Sequence, residues 1–144
     1  MDNEKSVAGD INMNDEMVFT GINSWINKII CKTVNEVNAD KAKYVCTCKY
    51  KIIKDLDDKK KMSLLLKYRA FFKPSCFFDV SVDFLISVTF QDEIKEWTED
   101  DTREIINISI KEFGYIVGQM TSLTHGSPFL TDRYSEIVKI VEDK

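Results

Sequence analysis

The feature that most constrains the fold is the stretch FFDVSVDFLISVTF at residues 77–90. Every even position from Phe78 to Phe90 is apolar, whereas most of the odd positions carry Asp, Ser or Thr. Side chains alternate between the two faces of a strand, so the pattern predicts one long strand with a single apolar face. That face must be covered by another layer of structure.

Two further strands precede it. The stretches YVCTCKYKIIK at 44–54 and MSLLLKYRAFF at 62–72 flank the polar loop DLDDKKK and predict a hairpin. Pairing about the loop centre places Lys49 near Lys67, and the even positions of both strands then share one face. Pro74 suits the connection to the next strand, because proline cannot donate to a ladder. We therefore predict an antiparallel meander whose even residues all turn to one side.

The period of the pattern changes after the third strand. EWTEDDTREIINISIKEFGYIVGQMTSLTHGSP predicts a long helix that begins after Thr98, whose spacing to Asp101 resembles a capping box. Gly126 and Pro128 predict its end. One stripe at three- to four-residue spacing is expected to cover the apolar face of the sheet: Ile106, Ile110, Phe113, Val117, Met120 and Thr124.

The same helix carries apolar and small residues outside that stripe. A glycine in mid-helix costs up to ~1 kcal/mol relative to alanine, and the close approach of a second helix would offset this cost. We predict that the helix lies at the interface of a homo-oligomer, a dimer or a tetramer. The alternative is that residues 17–37 cover its second side. The predicted interface residues are Ile105, Ile108, Gly114, Tyr115, Gly118 and Ser122.

The two ends of the chain are less constrained. Residues 1–15 are polar and without a period, which predicts a disordered tail before a single domain at 16–144. Residues 17–37 fit both a helical stripe and a strand, and we predict an irregular or helical beginning and then a strand near Ile29–Val37. In DRYSEIVKIVEDK, Tyr134, Ile137, Val138 and Val141 predict a short amphipathic helix, either a core-packing tail or a cover over a groove.

Composition restricts the class of protein. The net charge of −4 weighs against bulk nucleic-acid binding. We see neither an apolar run long enough to span a bilayer nor a secretory signal, and therefore expect a cytoplasmic protein without membrane insertion. In that compartment the four cysteines are expected to be reduced thiols in the core. We expect no metal site and no cofactor.

The sequence offers no clear catalytic constellation. Asp79 and Asp83 share a strand face, but this spacing separates them by ~13 Å, beyond the roughly 5–9.5 Å between the carboxylates of a glycosidase. His125 has no motif partner, and no glycine-rich phosphate loop is present. We therefore expect no enzyme. Lysines gather on the outer sheet face, but Phe71 is the one aromatic there beside them, so nucleic acid is not the favoured partner.

The order of these elements resembles the family of SecB, the bacterial protein-export chaperone, from about Ile29 to Val141. The resemblance rests on the strands KMSLLLKYRAFF and FFDVSVDFLISVTF, on the long helix, and on a break at a glycine near a proline and an apolar loop. Gly126, Pro128, Phe129 and Leu130 fill that last pattern. The chain departs from the family at Gly114, which lies where the helical region of the family usually carries a proline.

The resemblance implies an α+β fold, an antiparallel four-stranded β-meander with a long helix and a short C-terminal helix on one face. It also implies four subunits, a dimer of dimers, and binding of unfolded polypeptides without a catalytic centre. The clients would belong to protein export or be a dedicated partner such as an antitoxin. The alternative is a non-catalytic interaction protein with one fixed protein or nucleic-acid partner. The predicted client contacts are Trp25, Phe71, Phe129, Leu130 and Tyr134.

Overall fold

The computed structural model of the chain describes residues 19–34, 39–94, 96–126, 128–129 and 138–143. The predicted tail at 1–15 and the predicted contacts Leu130 and Tyr134 lie outside these residues. The three strands of the predicted meander and the long helix are confirmed, with strand bounds within a residue or so of the prediction. The elements are β1 (Phe19–Thr33), β2 (Lys43–Lys54), β3 (Lys61–Lys73), β4 (Phe78–Phe90), α1 (Glu99–His125) and β5 (Lys139–Glu142).

The strands form one sheet in the order β1-β4-β3-β2-β5. Strands β2, β3 and β4 form the predicted antiparallel meander, and Lys49 lies opposite Lys67 as expected. β1 pairs antiparallel with β4, whereas β5 pairs parallel with β2. The α+β class is therefore confirmed, but the sheet has five strands in the described residues and is mixed, not four-stranded and purely antiparallel.

The core lies between α1 and the even-numbered face of the sheet. Every even residue of β4 from Phe78 to Phe90 is buried. The ring of Phe113 on α1 stacks on Tyr68 of β3 with 4.5 Å between centroids. Phe84 meets the same tyrosine edge-on at 5.5 Å. The helix α1 packs over β3 and β4 and therefore covers the apolar face that the alternation in β4 creates.

Both ends of α1 form as the sequence predicts. The Thr98 hydroxyl accepts from the Asp101 backbone N–H, and the Asp101 carboxylate accepts from the Thr98 backbone N–H, which completes a capping box. At the other end Gly126 adopts φ 80, where a side chain would be strained, and its N–H donates to the Ser122 carbonyl. None of the helices in the described part has the length and apolar composition needed to cross a membrane.

The prediction for residues 17–37 was wrong in its first half. β1 is a strand from Phe19 to Thr33, with a register shift between Ile26 and Lys28. This bulge lets Ile22, Ile26 and Ile29 all point to the helix side of the sheet, since they lie beside even residues of β4. Their spacing of four and then three residues therefore imitates a helical stripe.

The predicted C-terminal helix was also wrong where the structure describes it. Residues Lys139–Glu142 form β5 along the edge of β2, and the Asp143 backbone N–H donates to the Tyr50 carbonyl at 2.7 Å. The open edge of β2 offers unpaired backbone groups, and Ile and Val favour the extended conformation. Together these effects outweigh a weak helical period.

Candidate functional site

An apolar cleft opens between the C-terminal end of α1 and the end of the sheet where β3 meets β4. Its volume is about 350 Å³. We call it the aromatic cleft, and its lining residues are Phe72, Phe77, Phe78, Thr121, His125, Pro128 and Phe129. A concave site lined by aromatic side chains with a few polar groups is typical of a binding site for an apolar group.

Phe129 lies at the centre of the aromatic cleft. Its ring centroid is 4.8 Å from that of Tyr44 and 5.2 Å from that of Phe78, both in tilted or edge-on geometry. The Phe129 backbone N–H donates to the Thr121 hydroxyl at 2.7 Å, which holds the residue against α1. Such aromatic pairs contribute about 0.5–1.5 kcal/mol beyond their burial, so the cleft wall is held by its own ring contacts.

His125 and Phe77 close the cleft at the helix end. The Phe77 carbonyl accepts from the Val34 backbone N–H at 2.9 Å and lies 2.9 Å from Nε2 of His125. Phe77 itself adopts φ 59, in the left-handed region that a bulky side chain rarely occupies. The two contacts at its carbonyl fix this conformation and thereby join the end of α1 to the turn before β4.

A second apolar surface lies on the outer face of the sheet, away from α1. Trp25 of β1 is directly opposite Leu85 of β4, which is opposite Leu65 of β3. Side chains paired in this way share one face, so the three residues form a continuous row, and Trp25 is 49% exposed. The structure thus places the predicted contact Trp25 at an apolar site, but on the face opposite Phe129.

Phe71 lies on the same outer face in a different environment. The guanidinium of Arg69 lies 3.8 Å above its ring centroid, and Arg69 also makes two bonds to the Asp79 carboxylate, at 2.7 and 3.0 Å. The bond to Asp79 raises the pKa of Arg69 further. A cation therefore covers Phe71, which makes it a weaker candidate for apolar contact than Trp25.

The outward face of α1 carries part of the predicted oligomer interface. Ile108 and Tyr115 are 51% and 66% exposed, and with Ser122 they form one line at seven-residue spacing. A groove of about 560 Å³ runs beside Tyr115, Ser122 and Gly118. Gly114 is half-buried next to this line, Gly118 is buried, and Ile105 is in the core and has no surface to offer a second subunit.

The described residues do not assemble a set of reactive groups. Among them, no three His, Cys, Asp or Glu side chains are arranged to hold a metal ion. Burial raises the pKa of both Cys46 and Cys48 to about 12, so their thiols are poor nucleophiles at neutral pH. Asp79 is paired with Arg69. What the surface offers is apolar area in several places.

The predicted contacts include Phe129, which lines the aromatic cleft, but not the rings around it. Tyr44, Phe72, Phe77 and Phe78 were assigned to strands and not to a site. A signal was present, because two Phe-Phe pairs, at 71–72 and 77–78, flank the turn KPSC. Residues on either side of a tight connection between neighbouring strands lie close in space, so this repetition marks one aromatic end of the sheet.

The chain has the fold of SecB-like chaperones. It is similar to the SecB-like chaperone Rv1957 of Mycobacterium tuberculosis, whose structure was solved in complex with a ChAD peptide from the antitoxin HigA1. The two share 9% sequence identity with a TM-score of 0.62, over 81% of this chain and 88% of that one. A protein of unknown function from Streptococcus agalactiae is also similar, at 12% identity and a TM-score of 0.50, over 81% and 97% of the two chains. No protein-family model and no curated protein sequence matches.

Proposed function

We propose that this protein is a chaperone-type protein that binds unfolded or extended polypeptide segments through apolar surface. The observation that carries the proposal is the aromatic cleft, which presents half-buried rings around an opening of about 350 Å³. Burial of apolar side chains is non-directional, so such a cleft accepts many aromatic or aliphatic side chains with little sequence preference. The fold shared with a SecB-like chaperone agrees with this role.

A long client would need more than one contact. The row formed by Trp25, Leu85 and Leu65 supplies a second apolar surface on the other face of the sheet. Residues Ile26 and Ile29 of β1 add exposed apolar area on the helix side, in the edge strand of the sheet. Several separate sites on one protein raise the overall affinity for a flexible chain that reaches them together.

A dedicated protein partner is the second candidate. The SecB-like chaperone to which this chain is similar was solved with a peptide from an antitoxin. A single partner of that kind would bind in the same cleft, but the protein would select it from other polypeptides by its sequence. The two candidates differ in one observable, because a general chaperone binds several unrelated unfolded chains and a dedicated one binds a single partner.

The oligomer belongs to the same proposal. The line Ile108, Tyr115 and Ser122, beside Gly114 and Gly118, leaves apolar area exposed on a helix whose other side is already covered. A helix that is apolar on two sides is usually covered on both. We expect the outward face of α1 to pair with a second copy, so Tyr115→Lys should shift the sedimentation profile to smaller species.

The cleft is tested by removing one ring. Phe129→Ser deletes the central side chain while the backbone bond to Thr121 can remain. The probe is reduced, carboxymethylated α-lactalbumin, which stays unfolded in buffer, with a fluorescent label for anisotropy. We expect Phe129→Ser to weaken binding by roughly tenfold, because a lost aromatic contact at a binding hot spot costs more than about 1 kcal/mol.

The matched control is Leu56→Ser. Leu56 is an exposed apolar residue in the loop between β2 and β3, at the other end of the sheet. Its loss lowers the surface hydrophobicity of the protein without touching the cleft. Equal weakening by Phe129→Ser and Leu56→Ser would contradict the aromatic cleft as the binding site, and circular dichroism shows whether both variants keep the fold.

A further inference from the structure

The edge of β2 holds a short strand from the end of the described chain. β5 pairs with Thr47 to Tyr50, only four of the twelve residues of β2. The pairing is parallel, which is slightly less stable per residue than antiparallel pairing. β5 is thus a short strand added to a long sheet edge, and it shows directly that this edge accepts an extended segment.

The two faces of β2 next to this edge differ in chemistry. On the helix side the edge presents Cys48, Tyr50 and Ile52, which are buried or half-buried. On the outer side it presents Lys49 and Lys51, both exposed. An incoming strand that matches this edge therefore alternates apolar residues, on the helix side, with acidic residues beside the two lysines.

The charge on the outer side adds to this preference. Lys49 lies directly opposite Lys67 of β3, and like charges directly opposite each other destabilise a strand pair. Asp83 of β4 lies opposite Lys67 on its other side and offsets part of this repulsion, whereas Lys49 has no carboxylate opposite it on β3 or β5. A carboxylate on an added strand beside Lys49 would relieve that repulsion. The edge thus favours an acidic side chain on this face.

β5 matches the edge only in part. Ile140 lies beside Cys48 on the helix side, as the edge prefers. Val141, however, lies beside Lys49 on the outer face and is 57% exposed. Glu142 lies beside Tyr50 on the helix side, where burial and then the Glu142 charge raise the pKa of the tyrosine. Two of the four side chains are therefore on the faces that suit them least.

We infer that the edge of β2 is a strand-addition site for an extended, alternating apolar–acidic segment of a client, and that β5 is the occupant such a segment displaces. The segment runs parallel to β2, with its apolar side chains toward Cys48 and Tyr50 and its carboxylates toward Lys49 and Lys51. Main-chain hydrogen bonds supply affinity and the two faces supply selectivity. The inference rests on the proposed function, because it takes the occupant to be part of a bound polypeptide.

Two proline variants separate displacement of β5 from general damage. The Asp143 N–H bonds to β2, and backbone groups alternate along a strand, so the Val141 N–H also points to β2 and the Glu142 N–H points away. Val141→Pro therefore removes a ladder bond, whereas Glu142→Pro is tolerated at an edge strand. Displacing β5 raises the fraction of molecules whose β2 edge is free to bind a peptide. The apparent affinity for the peptide rises with that fraction.

The probe is a fluorescein-labelled hexapeptide of three Ile-Glu repeats, read by anisotropy with the full chain. We expect Val141→Pro to bind it roughly tenfold more tightly than the unaltered chain, and Glu142→Pro to bind it as the unaltered chain does. Lys49→Glu should weaken binding, while Lys60→Glu, the same charge change in the loop before β3, should leave it unchanged. A peptide with Lys in place of Glu should not bind.

Equal affinities of Val141→Pro and Glu142→Pro would overturn the inference, as would equal effects of Lys49→Glu and Lys60→Glu. The proposed function is read separately, by suppression of aggregation of a denatured protein. If the protein suppresses aggregation but no variant binds the hexapeptide, the edge site is overturned and the chaperone role is left intact. The expected hexapeptide pattern without suppression supports the edge site and contradicts the chaperone role.

Discussion

Replacing Phe113 by alanine tests how α1 is held on the sheet. Its side chain is fully buried, and its ring stacks on Tyr68 at 4.5 Å and 16°. Deleting a buried phenylalanine costs about 3–5 kcal/mol, since both the transfer energy and the contacts around the cavity are lost. The better helix propensity of alanine returns about 0.5 kcal/mol. We therefore expect the free energy of unfolding to fall by about 3 kcal/mol or more, measured by urea denaturation.

The same loss should appear in thermal unfolding. For a chain of this size 1 kcal/mol corresponds to about 2–4 °C, so Tm should fall by about 6–12 °C. The control is Ile108→Ala on the outward face of the same helix, which should change stability by no more than about 0.5 kcal/mol at low protein concentration. Equal losses from the two variants would refute the packing of α1 that places Phe113 in the core.

Three further predictions concern the capping box, a buried hydroxyl and the buried thiols. Thr98→Ala removes the bond to the Asp101 N–H and should cost about 1 kcal/mol in urea denaturation, whereas an unchanged midpoint would mean that the cap does not form in solution. Tyr68→Phe removes a hydroxyl that lies 2.7 Å from the Ser109 hydroxyl and should cost about 1 kcal/mol, so a more stable variant would contradict this contact. Burial raises the pKa of Cys46 and Cys48 from 9.0 to about 12; the unfolded thiols ionise first, so stability should fall as pH rises from about 9 to about 12. This loss should be smaller in a double Cys46→Ala, Cys48→Ala variant, and an unchanged slope would place the thiols in contact with water.

The sequence predicted those parts of the fold whose side-chain period is undisturbed. Buried and half-buried residues alternate in β4 without interruption, so the hydrophobic pattern of its sequence directly predicts which residues are buried. β1 has a bulge, which changes a period of two into an apparent helical spacing. The pairing of β1 with β4 was not predictable from the hydrophobic pattern. Alternation shows which side chains of a strand share a face, but it does not show which strand pairs with it.

β5 and the aromatic cleft depend on tertiary structure in a similar way. Residues Lys139–Glu142 form a strand because they pair with the edge of β2. The local sequence of this segment does not indicate that partner. Phe129 was predicted as a contact, but Phe72 and Phe78 come from other elements and meet it only when the sheet and α1 are assembled. Phe71 was predicted on the outer sheet face, where the structure places it. Trp25 was predicted as a contact within a segment of undecided conformation, and strand register puts it on the face opposite Phe129.

We propose that the chain binds unfolded polypeptides through the aromatic cleft. The most direct measurement is light scattering of several unrelated denatured proteins, such as citrate synthase, diluted into increasing amounts of this protein. We expect suppression of aggregation near stoichiometric ratios for each of them, with a clear loss of suppression in Phe129→Ser and none in Leu56→Ser. Unchanged aggregation of every test protein at a large excess of this chain would contradict a general chaperone role.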